Sequence, residues 1–246
     1  MDYGSIIGES FEYAKEAFWG KWTRWLLLII STIIFPLIYG YMMEVYRGKK
    51  PAPEPEHWWR LFVDGIKLLV AGLIYAIPAL IVFFLTIGLA ILTLMPYFVT
   101  YSATGIVPTA PSAALATAIG SIIVGAILTV IIAFITALFA LLGMVRLART
   151  GRFGEAFNFH EIHMTIKRIG WGSYILALII MWILSAIFSV VISLFMIIPY
   201  IGWLIMLIFL PVWVVFEARY ITQVYDAGMP PEAPQSPVQV QVPPPA

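Results

Sequence analysis

The sequence predicts an all-α protein, a polytopic helical integral membrane protein with about five transmembrane segments. Of its 246 residues 62% are hydrophobic and only 11% are charged, whereas soluble domains average about 25% charged residues. Residues 68–145 and 169–216 contain no Asp, Glu, Lys, Arg or His. Because a membrane-spanning helix needs about 20 apolar residues, each of these runs is long enough for two spans and a connection.

The charge and cysteine content exclude several functions. The net charge of +1 gives no electrostatic footprint for binding nucleic acid. The chain has no cysteine, which excludes disulfides, cysteine-ligated zinc and thiol nucleophiles. Four acidic residues precede the first apolar run, which argues against a cleavable signal peptide; they are Asp2, Glu9, Glu12 and Glu16.

The first two elements are an amphipathic helix and an apolar run. Residues 5–19 have the spacing of a helix that lies along the membrane surface, with an apolar face of Ile7, Phe11, Ala14 and Phe18. Residues 25–43 are apolar and contain Pro36. We expect them to cross the membrane once, because 19 to 22 apolar residues suit one span. The alternative is a re-entrant hairpin broken at "FPLIYG", which would keep the preceding basic residues inside.

The rest of the chain alternates between apolar segments and connections. Residues 96–111 contain three prolines and no charge, which predicts a loop. Residues 229–246 are rich in proline, which predicts a disordered tail. Further transmembrane segments are expected at residues 68–95 (kinked at Pro78), 112–145, 172–198 and 203–225.

Basic residues predict the orientation of the chain. They are frequent in segments 44–67 and 146–168 and absent from 96–111 and 199–202. Because cytoplasmic loops of membrane proteins carry the excess of Lys and Arg, we place the two basic segments and the C-terminal tail in the cytoplasm, in a multi-pass protein of the plasma membrane. A single crossing by residues 25–43 would leave the N-terminal basic residues outside, against this trend.

The two basic segments begin an internal repeat. With an offset of 100 residues, Lys67 corresponds to Lys167 and Gly72 to Gly172, and each copy leads into a hydrophobic hairpin. The predicted unit is a surface helix followed by two spans. We place the copies at about residues 47–148 and 149–228 of a single membrane domain, 1–228, with residues 5–46 as a shortened third copy.

The surface helices of the repeat are predicted to contact lipid. Their aromatic residues sit where rings favour the headgroup level, and their basic residues can reach lipid phosphates. The predicted lipid-interface residues are Arg60, Lys67, Lys167, Arg168, Trp58, Trp59 and Trp171.

The second surface helix also contains the sequence "HEIH". As a metal site, His160, Glu161 and His163 would need a further ligand from elsewhere, and the HExxH spacing of zinc enzymes is absent. The other copy has Arg60 and Val63 at the positions of the two histidines. We therefore expect a solvated interfacial face, with no metal site, no cofactor and no catalytic residue.

Small residues recur every four positions in the segment 112–145. Such a ridge lets another helix approach closely, so we predict tight packing with a neighbouring helix or with a second copy of the protein. The alternative is that the hydroxyl groups line a polar path, although they can also bond to their own helix backbone. The ridge consists of Ser121, Gly125, Thr129, Ala133 and Ala137.

Two stretches, "YRGKKPAPEPEHWWRLFVDGIKLLVAGLIYAIP" and "RTGRFGEAFNF", resemble a family of archaeal multi-pass membrane proteins, domain of unknown function 4013. The resemblance covers about residues 5–228. It implies an integral membrane protein and offers no activity or catalytic residues to carry over. More loosely, the surface helix followed by a hairpin looks like the membrane domain attached to some glycerophosphodiester phosphodiesterases. That analogy at the level of the fold implies work on or near lipids.

These observations favour a non-enzymatic, membrane-organising or accessory component. Its expected partners are membrane lipids and either a second copy of the chain or another membrane protein, with no nucleic acid. The first alternative is a permease or exporter of an uncharged or amphiphilic substrate, since kinks at Pro36, Pro78 and Pro211 could open a cavity, whereas spans without ionisable residues disfavour ion-coupled transport. The second is an enzyme acting on lipid headgroups, with Asp64, His160, Glu161 and His163 at the interface.

Overall fold

The computed structural model of the chain describes residues 1–106, 109, 112–198 and 200–229, and every element in this part is helical. The predicted all-α class is therefore confirmed. A short 3-10 turn, Phe153–Phe157, precedes α6. The α-helices are α1 (Tyr3–Phe18), α2 (Trp22–Ile33), α3 (Phe35–Tyr46), α4 (Trp58–Thr104), α5 (Ser112–Thr150), α6 (Phe159–Ile169), α7 (Trp171–Phe195) and α8 (Ile201–Asp226).

Four of these helices, α4, α5, α7 and α8, are long and apolar enough to cross a membrane. The expected count of about five spans becomes four in the described residues, because residues 25–43 do not form one long helix. They are divided between α2 and α3, each of 12 residues. A helix of that length is about 18 Å long, against about 30 Å of hydrocarbon. The expected single crossing is therefore wrong.

The break between α2 and α3 lies at Ile34, whose φ of −92° and ψ of 80° are not helical. Pro36 follows in the first turn of α3, where its missing N–H group costs no helical hydrogen bond. Both ends of the helix pair return to one place. Arg24 in α2 bonds to Glu54, just before α4, and the carbonyl of Tyr46 accepts from Arg149 Nε at 2.8 Å. The re-entrant hairpin, the alternative at residues 25–43, is the arrangement found.

We call the end of the bundle formed by segments 44–67 and 146–168 the charged end. Helix α1 also lies there, since the Tyr13 hydroxyl donates to the Lys49 carbonyl at 3.0 Å and Gln223 of α8 donates to the carbonyl of Ile6. The expectation that a single crossing separates the N-terminus from the basic segments does not hold. Four long helices and a hairpin bring the described chain back to the end where it began.

The two predicted surface helices differ in form. The second is α6, which ends at Gly170 (φ +90°) before α7 begins. The first does not exist as a separate element, because α4 continues without a break from Trp58 to Thr104. The residue at the offset of 100 from Gly170 is Val70, which has no access to positive φ without strain. The repeat of residues 47–148 and 149–228 stays a prediction.

Helix α4 also continues through Pro96 to Thr104, so most of the loop expected at 96–111 is helical. The predicted tail, 229–246, lies outside the described residues except for Met229. By length, α4 has 47 residues and α5 has 39, against 25 in α7 and 26 in α8.

The buried core gathers near the charged end, where tyrosine hydroxyls join the helices. Tyr41 donates to the Pro53 carbonyl at 2.9 Å, and Tyr174 of α7 donates to the carbonyl of Leu138 in α5 at 2.6 Å. Buried hydroxyls need such partners. Towards the other end the apolar side chains are exposed, among them Phe98, Ile123 and Val190, as expected for helix faces in contact with lipid.

Helices α3 and α4 cross with no space between their backbones. A Cβ atom built on Gly40 would lie 1.8 Å from the Leu61 carbonyl oxygen, and one on Gly65 would lie 1.7 Å from that of Pro36. Only glycine permits this approach. The two contacts fix the hairpin against the first turns of α4 and so position the charged side chains described next.

Candidate functional site

Two carboxylates are buried at the charged end. Glu44 of α3 is 2% exposed and Asp64 of α4 is 4% exposed. Arg47 joins them, with Nη1 2.5 Å from Glu44 Oε1 and Nη2 2.6 Å from Asp64 Oδ2. Because a buried charge is costly unless it is paired, this bridge holds α3 against α4 a second time. Other cations on the pair are Lys49 at 2.6 Å and Arg60 at 2.9 Å from Glu44, and Lys67 at 2.9 Å from Asp64.

The predicted lipid-interface residues form two groups. Trp58, Trp59, Arg60 and Lys67 lie in the first turns of α4, where the two cations are held by the buried carboxylates and the Trp59 side chain is 76% exposed. In the second group, Lys167 and Arg168 are exposed in the last turn of α6, and Trp171 opens α7. Among the described residues neither cation of the second group makes an ion pair.

The residues of the small-residue ridge of α5 differ in their surroundings: one packs against α4, and others line a groove. Gly125 lies against α4, since a Cβ atom there would be 2.3 Å from the side chain of Thr86. Thr129, Ala133 and Ala137 line a groove of about 420 Å³ between α4 and α5. The Ser121 hydroxyl bonds to its own helix, at the Ala118 carbonyl. The packing role of the ridge stays a prediction.

An apolar groove of about 620 Å³ lies between α1, α7 and α8. Its walls include Phe11 of α1, Trp19 just after α1, Phe188 of α7 and Trp213 of α8. Lys15 is the charged residue that lines it. The volume falls in the range of small-molecule pockets, about 300–1,000 Å³. An apolar groove beside one ammonium group has the chemistry to take the alkyl chain of a lipid, with its phosphate near Lys15.

The sequence matches the family described as protein of unknown function (DUF4013) over residues 25–197. The chain belongs to the DUF4013 family. The match includes α2–α7 and leaves α1 and α8 on either side. No curated protein and no solved structure matches this DUF4013 chain significantly. The family description assigns no activity; the charged end and the grooves are the features of the chain that bear on its function.

Two of the three histidines of the DUF4013 chain, His160 and His163, lie on the exposed side of α6. The His163 ring is centred 5.7 Å from the ring of Trp171, and His160 is exposed. Within the part of the chain that the structure describes, no three His, Asp or Glu side chains come together to hold a metal ion. Asp64, grouped with the histidines in the enzyme alternative, is instead buried against Arg47 and Lys67.

Two carboxylates outside the spans are anchored by arginine. The Arg24 guanidinium lowers the pKa of Glu54 through a hydrogen bond, 2.9 Å from Nε to Oε2. The hydrogen bond from Arg146 lowers the pKa of Glu155 in the same way. These bonds fasten the segments before α4 and after α5 to the helices of the DUF4013 chain.

Acid is expected to remove the contribution of Glu54. Because its pKa is lower in the folded chain, the stabilisation is complete above the ordinary pKa of a glutamate and is lost as the pH falls through the lower, folded value. We therefore expect Glu54→Gln to lower the unfolding midpoint of the DUF4013 chain at pH 7. Parent and variant should converge as the pH falls through the lowered pKa of Glu54. A difference that does not change between pH 7 and strong acid would contradict the ion pair.

Proposed function

We propose that this chain is a non-enzymatic, multi-pass protein of the plasma membrane that holds anionic lipid at the cytoplasmic leaflet. The charged end would face the cytoplasm, as the positive-inside rule favours, and the resemblance to archaeal multi-pass proteins supports insertion in a membrane. The charge-free ends of α4, α5, α7 and α8 would lie in and beyond the outer leaflet. As an accessory component, it would organise lipid around the bundle.

The exposed pair Lys167 and Arg168 is the observation that supports this function most. The pair lies beside Trp171, a side chain that favours the headgroup level, and makes no ion pair with the described residues. Arg60 and Lys67, by contrast, are already bound to carboxylates. We therefore expect anionic lipid to bind most strongly at the end of α6, where each basic residue contributes about 1 kcal/mol to the free energy of binding.

The test is lipid titration of the purified full chain in detergent. We expect Lys167→Gln with Arg168→Gln to weaken binding of phosphatidylglycerol about tenfold or more, since about 1.4 kcal/mol is a factor of ten. Binding of phosphatidylcholine should not change. Arg60→Gln is the matched control, because it removes a cation that is already held in an ion pair with Glu44. An equal loss in the control and the double variant would refute a lipid site at α6.

Orientation can be measured because the chain has no native cysteine. Ser102→Cys lies near the end of α4 away from the charged end, and Lys167→Cys lies in α6. In intact cells, a membrane-impermeant maleimide should modify the first variant and reach the second only after permeabilisation. Labelling of Lys167→Cys in intact cells would reverse the proposed orientation.

A further inference from the structure

A small cavity lies at the charged end, on the side of α1 that faces the segment between α3 and α4. Its volume is about 150 Å³, well below the roughly 300–1,000 Å³ of pockets for drug-sized ligands. Its lining includes Arg219 of α8, Tyr13 and three glutamates of α1, and Lys50. The cavity is distinct from the apolar groove and from the exposed cations of α6.

The guanidinium of Arg219 lacks hydrogen-bond acceptors among the described residues. The residue is 3% exposed, and its buried Nε has no hydrogen-bond partner among the residues that the structure describes. No carboxylate in the same part of the chain forms an ion pair with it. A guanidinium has five N–H donors, and leaving a buried donor unsatisfied costs about 1–3 kcal/mol, more for a charged group.

Tyr13 stabilises the Arg219 guanidinium through its ring and gives it no hydrogen-bond acceptor. The Arg219 Cζ lies 5.2 Å from the centre of the Tyr13 ring, within cation–π range. Burial raises the pKa of Tyr13 to about 12, so the phenol is neutral at pH 7. Its hydroxyl already donates to the Lys49 carbonyl. The ring therefore offers a π face to the guanidinium and no negative oxygen.

The remaining charges around the cavity discriminate between ligands. Glu9 pairs with Lys50 at 3.5 Å, whereas Glu12 and Glu16 are exposed and form no ion pair within the described residues. These two carboxylates would repel a simple anion approaching Arg219. They would attract a ligand that carries an ammonium group beside its anionic group.

We propose that this cavity binds a small zwitterion, with its phosphate or carboxylate on Arg219 and its ammonium group towards Glu12 and Glu16. The ligand is as small as a phosphoethanolamine headgroup, because the cavity has no room for a larger molecule. Such a group is carried by a membrane lipid or occurs as a free solute. The site does not depend on the proposed binding of anionic lipid at α6.

Calorimetric titration of the purified full chain with phosphoethanolamine and with inorganic phosphate tests the site. The wild-type chain should bind phosphoethanolamine more tightly than phosphate. Glu12→Gln with Glu16→Gln, both on the exposed side of α1, should weaken phosphoethanolamine about threefold to tenfold and strengthen phosphate. Glu56→Gln, an exposed acid that does not line the cavity, is the matched control and should change neither.

Opposite changes for the two ligands are the signature of the site, and Arg219→Gln should abolish the binding of both. Absence of phosphoethanolamine binding in the wild-type chain would overturn the proposal. So would an affinity unchanged by the double glutamine variant, which does not depend on how Arg219→Gln folds. Repeating the titration in nanodiscs identifies the source. Competition in phosphatidylethanolamine but not in phosphatidylglycerol indicates a lipid headgroup, and equal binding in both indicates a free solute.

Discussion

Gly65→Ala is expected to destabilise the protein more than alanine at any other glycine, because its Cβ atom would make the shortest contact. The new Cβ would lie 1.7 Å from the Pro36 carbonyl oxygen and 2.9 Å from the backbone nitrogen of Gly40. Neither atom belongs to a flexible side chain, so α3 must move away from α4. Overpacking in a tight core costs about 1–3 kcal/mol and occasionally more, and we expect about 3 kcal/mol here. The midpoint of thermal unfolding in detergent measures the loss.

Gly88→Ala is the matched control for this substitution. Gly88 lies in the same helix, α4, and a Cβ atom there would have nothing within 4 Å. Alanine has a higher helix propensity than glycine by up to about 1 kcal/mol, so this variant should be as stable as the parent or slightly more stable. Similar unfolding midpoints for the two variants would show that α3 and α4 do not cross as closely as described.

Arg47→Met is expected to have the second largest effect. It removes the cation that joins two buried carboxylates, Glu44 and Asp64, while keeping a side chain of similar length. Removing one partner of a buried ion pair costs about 3–5 kcal/mol. We expect a smaller loss, about 2 kcal/mol, because Arg60 remains on Glu44 and Lys67 remains on Asp64. The free energy of unfolding in denaturant measures it.

Arg152→Gln is the control for loss of one positive charge. Arg152 is exposed after α5 and makes no ion pair with the described residues, so its removal should change the free energy of unfolding by less than about 0.5 kcal/mol. If Arg47→Met were equally mild, the two carboxylates would not depend on the bridge. If Arg47→Met with Asp64→Asn were more stable than Arg47→Met alone, the cost of burying the Asp64 carboxylate without Arg47 would be demonstrated directly.

The class of the fold could be predicted because lipid imposes a simple rule on composition. Long runs without ionisable groups, 68–145 and 169–216, contain the apolar parts of all four long helices. The end of α6 could also be anticipated, since Gly170 marks it. In such cases the sequence signal is local, and the structure adds only the bounds.

The hairpin of α2 and α3 could not be predicted, because nineteen apolar residues suit one span as well as two short helices. The decision depends on partners distant in sequence. Gly40 and Gly65 let α3 approach α4 closely. Arg24 can form its hydrogen bond with Glu54 only when the chain turns back between α2 and α3. Proline at position 36 indicated a break but not the direction of the chain after it.

The burial of charged side chains was also beyond the sequence. The helical spacing of Arg60, Asp64 and Lys67 predicts a solvated polar stripe, yet the structure buries Asp64 beside Arg47, which lies just after α3. The sequence places Arg219 next to an apolar run, and its enclosure by α1 follows from contacts between residues more than 200 positions apart in the chain. Periodicity identifies a face of a helix but not what covers that face.

The unequal lengths of the helices have a consequence for the surrounding bilayer. The charge-free part of α4, residues 68–104, measures about 55 Å along its axis, while the whole of α7, with its 25 residues, measures about 38 Å. A single hydrocarbon thickness of about 30 Å cannot match both hairpins, so on one side of the molecule the lipid thickens, the longer hairpin leans steeply, or its end projects beyond the bilayer. Hydrophobic mismatch of this kind would draw the protein towards thicker regions of membrane.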